Sequence, residues 1–112
     1  MTEAKERTIL NYKNTMEEIA LTTYTVDLAR PRTPAELHQQ LREVFSLPET
    51  YGMNMDALWD CLSCAFREPV LIEVLHHDQA APELSRSAAI LKRLLLDLEE
   101  EDRNVSVRYP GS

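Results

Sequence analysis

Two aspartates beside the chain's single tryptophan are the residues best suited to recognition chemistry in this 112-residue sequence. Asp56, Trp59 and Asp60 lie in the segment YGMNMDALWDCL, residues 51–62. On a helix, positions four apart share one side, and like charges there cost about 0.2–0.5 kcal/mol. Carboxylates with no nucleophile or base nearby catalyse little, but a partner's Arg and Lys bind them through strong hydrogen bonds. The segment therefore indicates either a surface for a basic cleft, with carboxylates standing in for phosphates, or a plain solvent-exposed acidic edge.

Two cysteines follow in a C-x-x-C pattern, a spacing seen in zinc sites and in redox-active dithiols. Cys61 and Cys64 would need two more ligands to hold zinc, and the adjacent His76 and His77 could supply one of them. A redox pair usually lies at a helix N-terminus, whereas this pair falls late in the predicted helix. We therefore predict structural thiols with neither metal nor cofactor, and we keep a small thiol- or metal-binding protein as an alternative function.

The charge balance narrows the class of partner. Nineteen acidic and twelve basic residues give a formal net charge of −7. Binding of nucleic acid needs clustered Lys and Arg, so the composition favours a cationic protein surface as the partner. The sequence shows no signal peptide, no run of about 20 apolar residues for a membrane span, and no glycine-rich phosphate loop. We expect a cytoplasmic protein that binds neither nucleic acid nor membranes.

Helices and strands that could position the acidic segment alternate along the chain. This alternation predicts an α/β fold in which three parallel strands pack against three to four helices through right-handed crossovers. The continuous apolar run PVLIEVL predicts a central strand covered on both faces. The predicted strands are residues 24–28, 69–75 and 104–109, and the predicted helices begin at Pro34, after Asn54 and at Pro82.

Helix starts are marked by capping residues. Thr33, Pro34 and Glu36 predict an N-cap, a first helical residue and the acid of a capping box. Asn54 predicts the cap of the acidic helix, whose apolar stripe is Met55, Leu58, Trp59 and Leu62. We expect His38 to cap the first helix or pack on it.

Several segments of the sequence resemble a known family. LPETYGMNMDALWDCL, residues 47–62, closely resembles the signature of the barstar family, which are intracellular inhibitors of barnase-type ribonucleases. RTPAELHQQL, residues 32–41, is similar to the family's first helix, and EPVLIEV and NVSVRY are similar to its second and third strands. The resemblance implies a barstar-like domain at residues 24–112. It leaves residues 1–23 as an N-terminal extension, either a helix or a flexible arm.

The resemblance also implies how the protein works. It is not an enzyme, and its second helix and the preceding loop enter the active site of a basic ribonuclease or ribonuclease-like toxin domain. Asp60 is the expected main anchor at the place of the substrate phosphate, and Asp56 is a supporting contact. The positions that the resemblance assigns to partner binding are Thr50, Tyr51, Gly52, Asn54, Asp56, Trp59, Asp60 and Asp97.

Three of the departures from the family pattern fall in or close to the segment expected to bind the partner. Thr50 replaces the first of two loop tyrosines, Met53 replaces an acidic residue, and Ala65 falls where a tryptophan often stands. Interface aromatics often contribute much of the binding energy. The departures therefore indicate a different cognate ribonuclease or weaker binding, and they leave open an adaptor that has lost inhibition.

Overall fold

A computed structural model of the protein describes residues 21–111. The strand order is β1-β2-β3, and both neighbouring pairs are parallel. This confirms the predicted three-stranded parallel α/β fold, whereas most of the predicted N-terminal extension, residues 1–20, lies outside the described residues. The elements are β1 (Thr22–Asp27), α1 (Pro34–Phe45), α2 (Met55–Leu62), β2 (Val70–Leu75), two 3₁₀ turns (His77–Gln79 and Pro82–Leu84), α3 (Ser85–Glu101) and β3 (Val105–Arg108).

The central strand β2 is covered fully on one face only. Val70, Ile72 and Val74 are buried, but Leu71 and the other alternate residues are only partly buried. The prediction of two covered faces was therefore wrong. Because both crossovers step in the same direction across the sheet, right-handed connections bring α1, α2 and α3 to one face. The opposite face carries an ion pair between Arg108 and Glu73, with Nη2 and Oε2 2.8 Å apart.

Element boundaries differ from the sequence prediction by one to three residues, most of all at β1 and at the last helix. Strand β1 begins at Thr22, two residues earlier than expected, and ends at Asp27. The last helix was expected to start at Pro82, but the chain forms a 3₁₀ turn there and becomes α-helical at Ser85. Pro is favourable in the first turn of either kind of helix, so its presence does not tell the two apart.

Helix α1 begins as predicted, with a modified cap. The Thr33 hydroxyl accepts the Glu36 N–H at 3.2 Å, and Pro34 is the first helical residue. The Glu36 carboxylate accepts from the N–H of Arg32 at 2.7 Å, rather than from that of Thr33 as in a capping box. The helix ends at Phe45, where Ser46 adopts a left-handed conformation with φ 53°.

Buried Gln40 joins α1 to the carboxyl end of β1. Its Oε1 accepts the Asp27 N–H at 2.7 Å, and its Nε2 donates to the Asp27 carbonyl at 3.1 Å. Both halves of the amide are thus used, which removes the cost of burying it. The helix is held at a fixed position over the sheet.

The core lies between the covered face of the sheet and the three helices. Helix α2 contributes Leu58 and Leu62 to it and packs against α3. Among residues 21–111, no helix has the length and apolar character needed to cross a membrane. The largest fully buried side chains are Val26, Leu28, Leu37, Leu41, Leu58, Leu62, Ile72, Val74, Leu84, Leu91, Leu95 and Leu98.

Candidate functional site

The loop before α2 is fixed to the start of that helix by Asn54. Its Oδ1 accepts the Ala57 N–H at 2.8 Å, and its Nδ2 donates to the Gly52 carbonyl at 3.0 Å. A Cβ at Gly52 would lie 3.2 Å from Asn54 Nδ2 and 3.3 Å from Ala57 Cβ, which is too close for an unaltered cap. Between them, Met53 has φ 58°, a left-handed conformation that is unfavourable for a residue with a Cβ. The Asn54 side chain therefore ties the backbone of this loop at Gly52 to the first turn of α2.

Tyr51 connects the same loop to α1. Its ring is 5% exposed, and its hydroxyl lies 2.7 Å from Nδ1 of buried His38. The hydroxyl also donates to the Asn54 carbonyl at 3.3 Å. Since a hydroxyl has only one proton, this arrangement requires that His38 donates its Nδ1–H to Tyr51. Burial and the nearby Cys61 raise the pKa of Tyr51 to about 12, so the hydroxyl keeps its proton.

His38 makes the stability of this connection depend on pH. Burial lowers the pKa of His38 below its ordinary value of 6.5, because a charged imidazole would lose solvation there. Below that pH the unfolded chain binds a proton that the folded chain does not. The contribution of His38 is therefore fully present above about pH 6.5 and is lost as the pH falls.

We expect the free energy of unfolding of the parent to decrease from about pH 7.5 to about pH 5.5, and His38→Gln to flatten this part of the curve. Denaturant unfolding at a series of pH values measures it. Titration of Asp27 should not affect this pH range. The hydrogen bond from His76 lowers the pKa of the Asp27 carboxyl below 3.8, so the contribution of Asp27 to the free energy of unfolding is lost only in more acidic solution. Parallel curves for parent and variant would contradict the assignment to His38.

The two aspartates that opened the sequence argument both point to solvent. Asp56 and Asp60 are exposed on α2, and neither forms an ion pair within the described residues 21–111. Asp56 lies in the first turn, where the helix dipole favours an acid, but Asp60 lies in the later half, and no basic residue occupies the last turn. Asp60 therefore does not stabilise α2 in the free chain, whereas a cation of another molecule would give its carboxylate a favourable contact.

A shallow groove of about 300 Å³ runs between α2 and α3 beside these acids. Its lining is mainly apolar and includes two carboxylates and one guanidinium. On α3, Arg93 and Asp97 form an ion pair with Nε and Oδ1 3.5 Å apart. The residues lining the groove are Met55, Asp56, Trp59, Ile90, Arg93, Leu94 and Asp97.

The structure brings some of the sequence-predicted site residues together and separates others. Asp56, Trp59 and Asp97 line the groove together. Asp60 is exposed on α2 and Thr50 is exposed in the preceding loop, but neither lines the groove. Tyr51 faces inward, so its ring offers a partner little surface in the free chain. The residues assigned to shaping the loop, Gly52 and Asn54, are exposed and bonded to each other.

Sequence reasoning missed two residues that organise this surface. Its expectation that His38 packs on or caps α1 did not include the link to Tyr51, because no local pattern connects positions 13 residues apart. Arg93 was overlooked although its spacing of four from Asp97 on a predicted helix is a usable signal.

Cys61 lies in the last turn of α2, and Cys64 lies in the turn that follows the helix, outside the helix in which the sequence predicted it. Cys61 is partly buried and Cys64 is exposed, and both are free. In the part of the chain that the structure describes, no group of three or more His, Cys, Asp or Glu side chains could hold a metal ion. The zinc alternative, which needed His76 or His77 near the cysteines, gains no support from this arrangement.

Comparison with known proteins gives two results. A sequence model of a family described as "Barstar (barnase inhibitor)" matches residues 21–109. A curated protein named "Putative ribonuclease inhibitor YrdF", from Bacillus subtilis (strain 168), is 29% identical over 65 residues. The aligned part covers 58% of this chain and 71% of that protein.

Proposed function

Since the chain belongs to the barstar family, we propose that it inhibits a barnase-like ribonuclease by inserting an acidic surface into the enzyme's active site. The acidic surface consists of residues 49–54 together with the exposed side of α2. A ribonuclease active site is cationic because it must bind the phosphates of RNA. Carboxylates on a protein can occupy the same positions and keep the substrate out, so the activity is binding rather than catalysis.

The observation that carries this proposal is a pair of exposed carboxylates on a firmly anchored helix, neither of which forms an ion pair with another of the described residues. Leu58 and Leu62 hold α2 in the core, and Asp56 and Asp60 project from its other side. Their mutual repulsion and the position of Asp60 against the helix dipole are unfavourable in the free chain. Arg and Lys of a ribonuclease would neutralise both charges, and Asp60 is our candidate for the main anchor.

The remaining site residues have supporting roles in the proposal. Half-buried Trp59 offers an aromatic edge beside Asp56, and Asp97 adds a third carboxylate across the groove. Tyr51 acts from inside, by holding the loop on α1 through His38. Thr50 is exposed where a tyrosine would give more contact area, and Ala65 is exposed too. We therefore expect the cognate enzyme to differ from barnase in the surface that faces these two positions.

We place the complex in the cytoplasm. Two free cysteines without a disulfide fit a reducing compartment. A ribonuclease made in the same cell would attack that cell's RNA, so its inhibitor would serve as an immunity protein. Survival of cells that express a ribonuclease toxin domain together with this protein, compared with the toxin alone, tests that role.

The inhibition itself is tested with purified protein and barnase in an RNA-cleavage assay. We expect a dose-dependent loss of cleavage that weakens when the salt concentration rises from about 0.05 M to about 0.5 M, because exposed charges steer and hold the complex. An unchanged cleavage rate at a large molar excess of the protein, confirmed with a panel of related basic ribonucleases, would contradict the proposed function.

A further inference from the structure

We propose that Arg93 is a specificity-determining residue, which weakens binding of ribonucleases that place a cation over the α2–α3 groove and favours those that place a carboxylate there. This inference rests on the proposed function, because it concerns the same surface. Among residues 21–111, Arg93 is the only cation lining this groove, and the other charged residues there are Asp56 and Asp97. Its side chain is 81% exposed, so it directly faces any partner that covers the groove.

The contact between Arg93 and Asp97 adds little to the stability of the chain. The two groups are 3.5 Å apart, and the Asp97 side chain is 46% exposed, so water screens their attraction. The order is also the weaker one, since a base placed four residues before an acid opposes the helix dipole. The pair can therefore open readily, and stabilisation of α3 does not explain why a cation stands at this position.

A partner gives the same guanidinium a much larger effect. In the free chain Arg93 partly neutralises Asp97, so an incoming cation must displace it or accept a repulsive neighbour. Ile90 and Leu94 lie beside it, and Met55 and Trp59 form the opposite wall. When a partner covers these apolar side chains it expels water, and the lower local dielectric strengthens both repulsion of a cation and attraction of a carboxylate. Arg93 thus discriminates between enzymes that the rest of the acidic surface would accept alike.

The test compares inhibition of barnase, as a cationic probe enzyme, by the parent and by Arg93→Gln and Arg93→Glu. We expect Arg93→Gln to lower the inhibition constant roughly fivefold to tenfold at low salt, Arg93→Glu to lower it further, and high salt to reduce both gains. Lys92→Gln is the matched control, because it removes the same charge from the adjacent position on α3. Lys92 points elsewhere, with Nζ 4.9 Å from the centre of the Tyr109 ring, and we expect a change below about twofold.

A second pair of variants shows whether Arg93 acts through the groove. Asp97→Asn removes the carboxylate that pairs with Arg93. The gain in inhibition from Arg93→Gln should therefore differ between the parent and the Asp97→Asn protein. The inference is overturned if Arg93→Gln inhibits barnase no better than the parent, or if Lys92→Gln gives the same gain. Failure of the proposed function would show separately, as Asp60→Ala inhibiting as well as the parent, whatever Arg93 does.

Discussion

Asp60→Ala should lose inhibition of the target ribonuclease by about a hundredfold or more while the protein keeps its stability. In the complex the carboxylate would be enclosed with cationic groups of the enzyme, and deleting one member of an enclosed ion pair costs about 3–5 kcal/mol. In the free chain the same change removes a repulsive neighbour of Asp56 and an acid from the unfavourable half of α2. The midpoint of unfolding should therefore stay equal or rise slightly.

Inhibition constants and denaturant unfolding, measured on the same preparations, check this pair of outcomes. Glu43→Ala is a suitable control, because it removes an equal charge from an exposed position on α1, beside Arg30 and away from the groove. Asp60→Asn keeps the shape and removes only the charge, so it should resemble Asp60→Ala. Full inhibition by Asp60→Ala, or a loss explained by unfolding, would show that α2 does not act through this carboxylate.

Leu58→Ala should give the reverse pattern. Leu58 is completely buried on the inner side of α2, and a cavity left by a buried leucine costs about 2–5 kcal/mol. Such a loss is large compared with the total stability of a domain, so the unfolding midpoint should fall markedly. Under conditions in which the Leu58→Ala protein is still folded, its inhibition of the ribonuclease should remain close to that of the parent, because the Leu58 side chain does not reach the surface.

Leu96→Ala is the matched control for this second change. It removes the same side chain from α3 at a position that is 41% exposed, and we expect a loss below about 1 kcal/mol. Leu58→Val, with a smaller cavity, provides a folded intermediate if Leu58→Ala unfolds altogether. A Leu58→Ala protein that stays as stable as the parent would contradict the placement of α2 in the core. A Leu58→Ala protein that is folded but does not inhibit would contradict the view that the buried side of α2 provides stability and its exposed side provides binding.

The fold was predictable wherever the local pattern and the packing agree. The caps at Thr33 and Asn54 marked two helix starts, and the stripe of Leu58 and Leu62 told which side of α2 is buried. The apolar run around Ile72 misled the prediction because periodicity describes residue types and not the direction of the crossovers. The strand order, together with right-handed crossovers, is what brings α1, α2 and α3 to one face of the sheet.

The candidate site was predictable in part. The sequence placed Asp56, Trp59 and Asp60 on one helix, and the spacing of four puts the two aspartates on one side of it. The structure finds both aspartates exposed and Trp59 half-buried. It could not show that Tyr51 turns inward to His38, because that contact depends on how α1 and the loop pack. The relation of Arg93 to Asp56 depends on the packing of α2 against α3 for the same reason.

The links from Asn54 to Gly52 and from His38 to Tyr51 also have a consequence for the kinetics of binding. A loop that is already held by hydrogen bonds in the free chain, and that binds a target in the same conformation, loses little conformational entropy on binding. No slow rearrangement then limits the encounter, so opposite charges alone can drive association towards the diffusion-controlled range. Changes in the enclosed contacts of this surface would consequently alter mainly how long the enzyme stays bound, whereas changes in its exposed charges would alter the association rate.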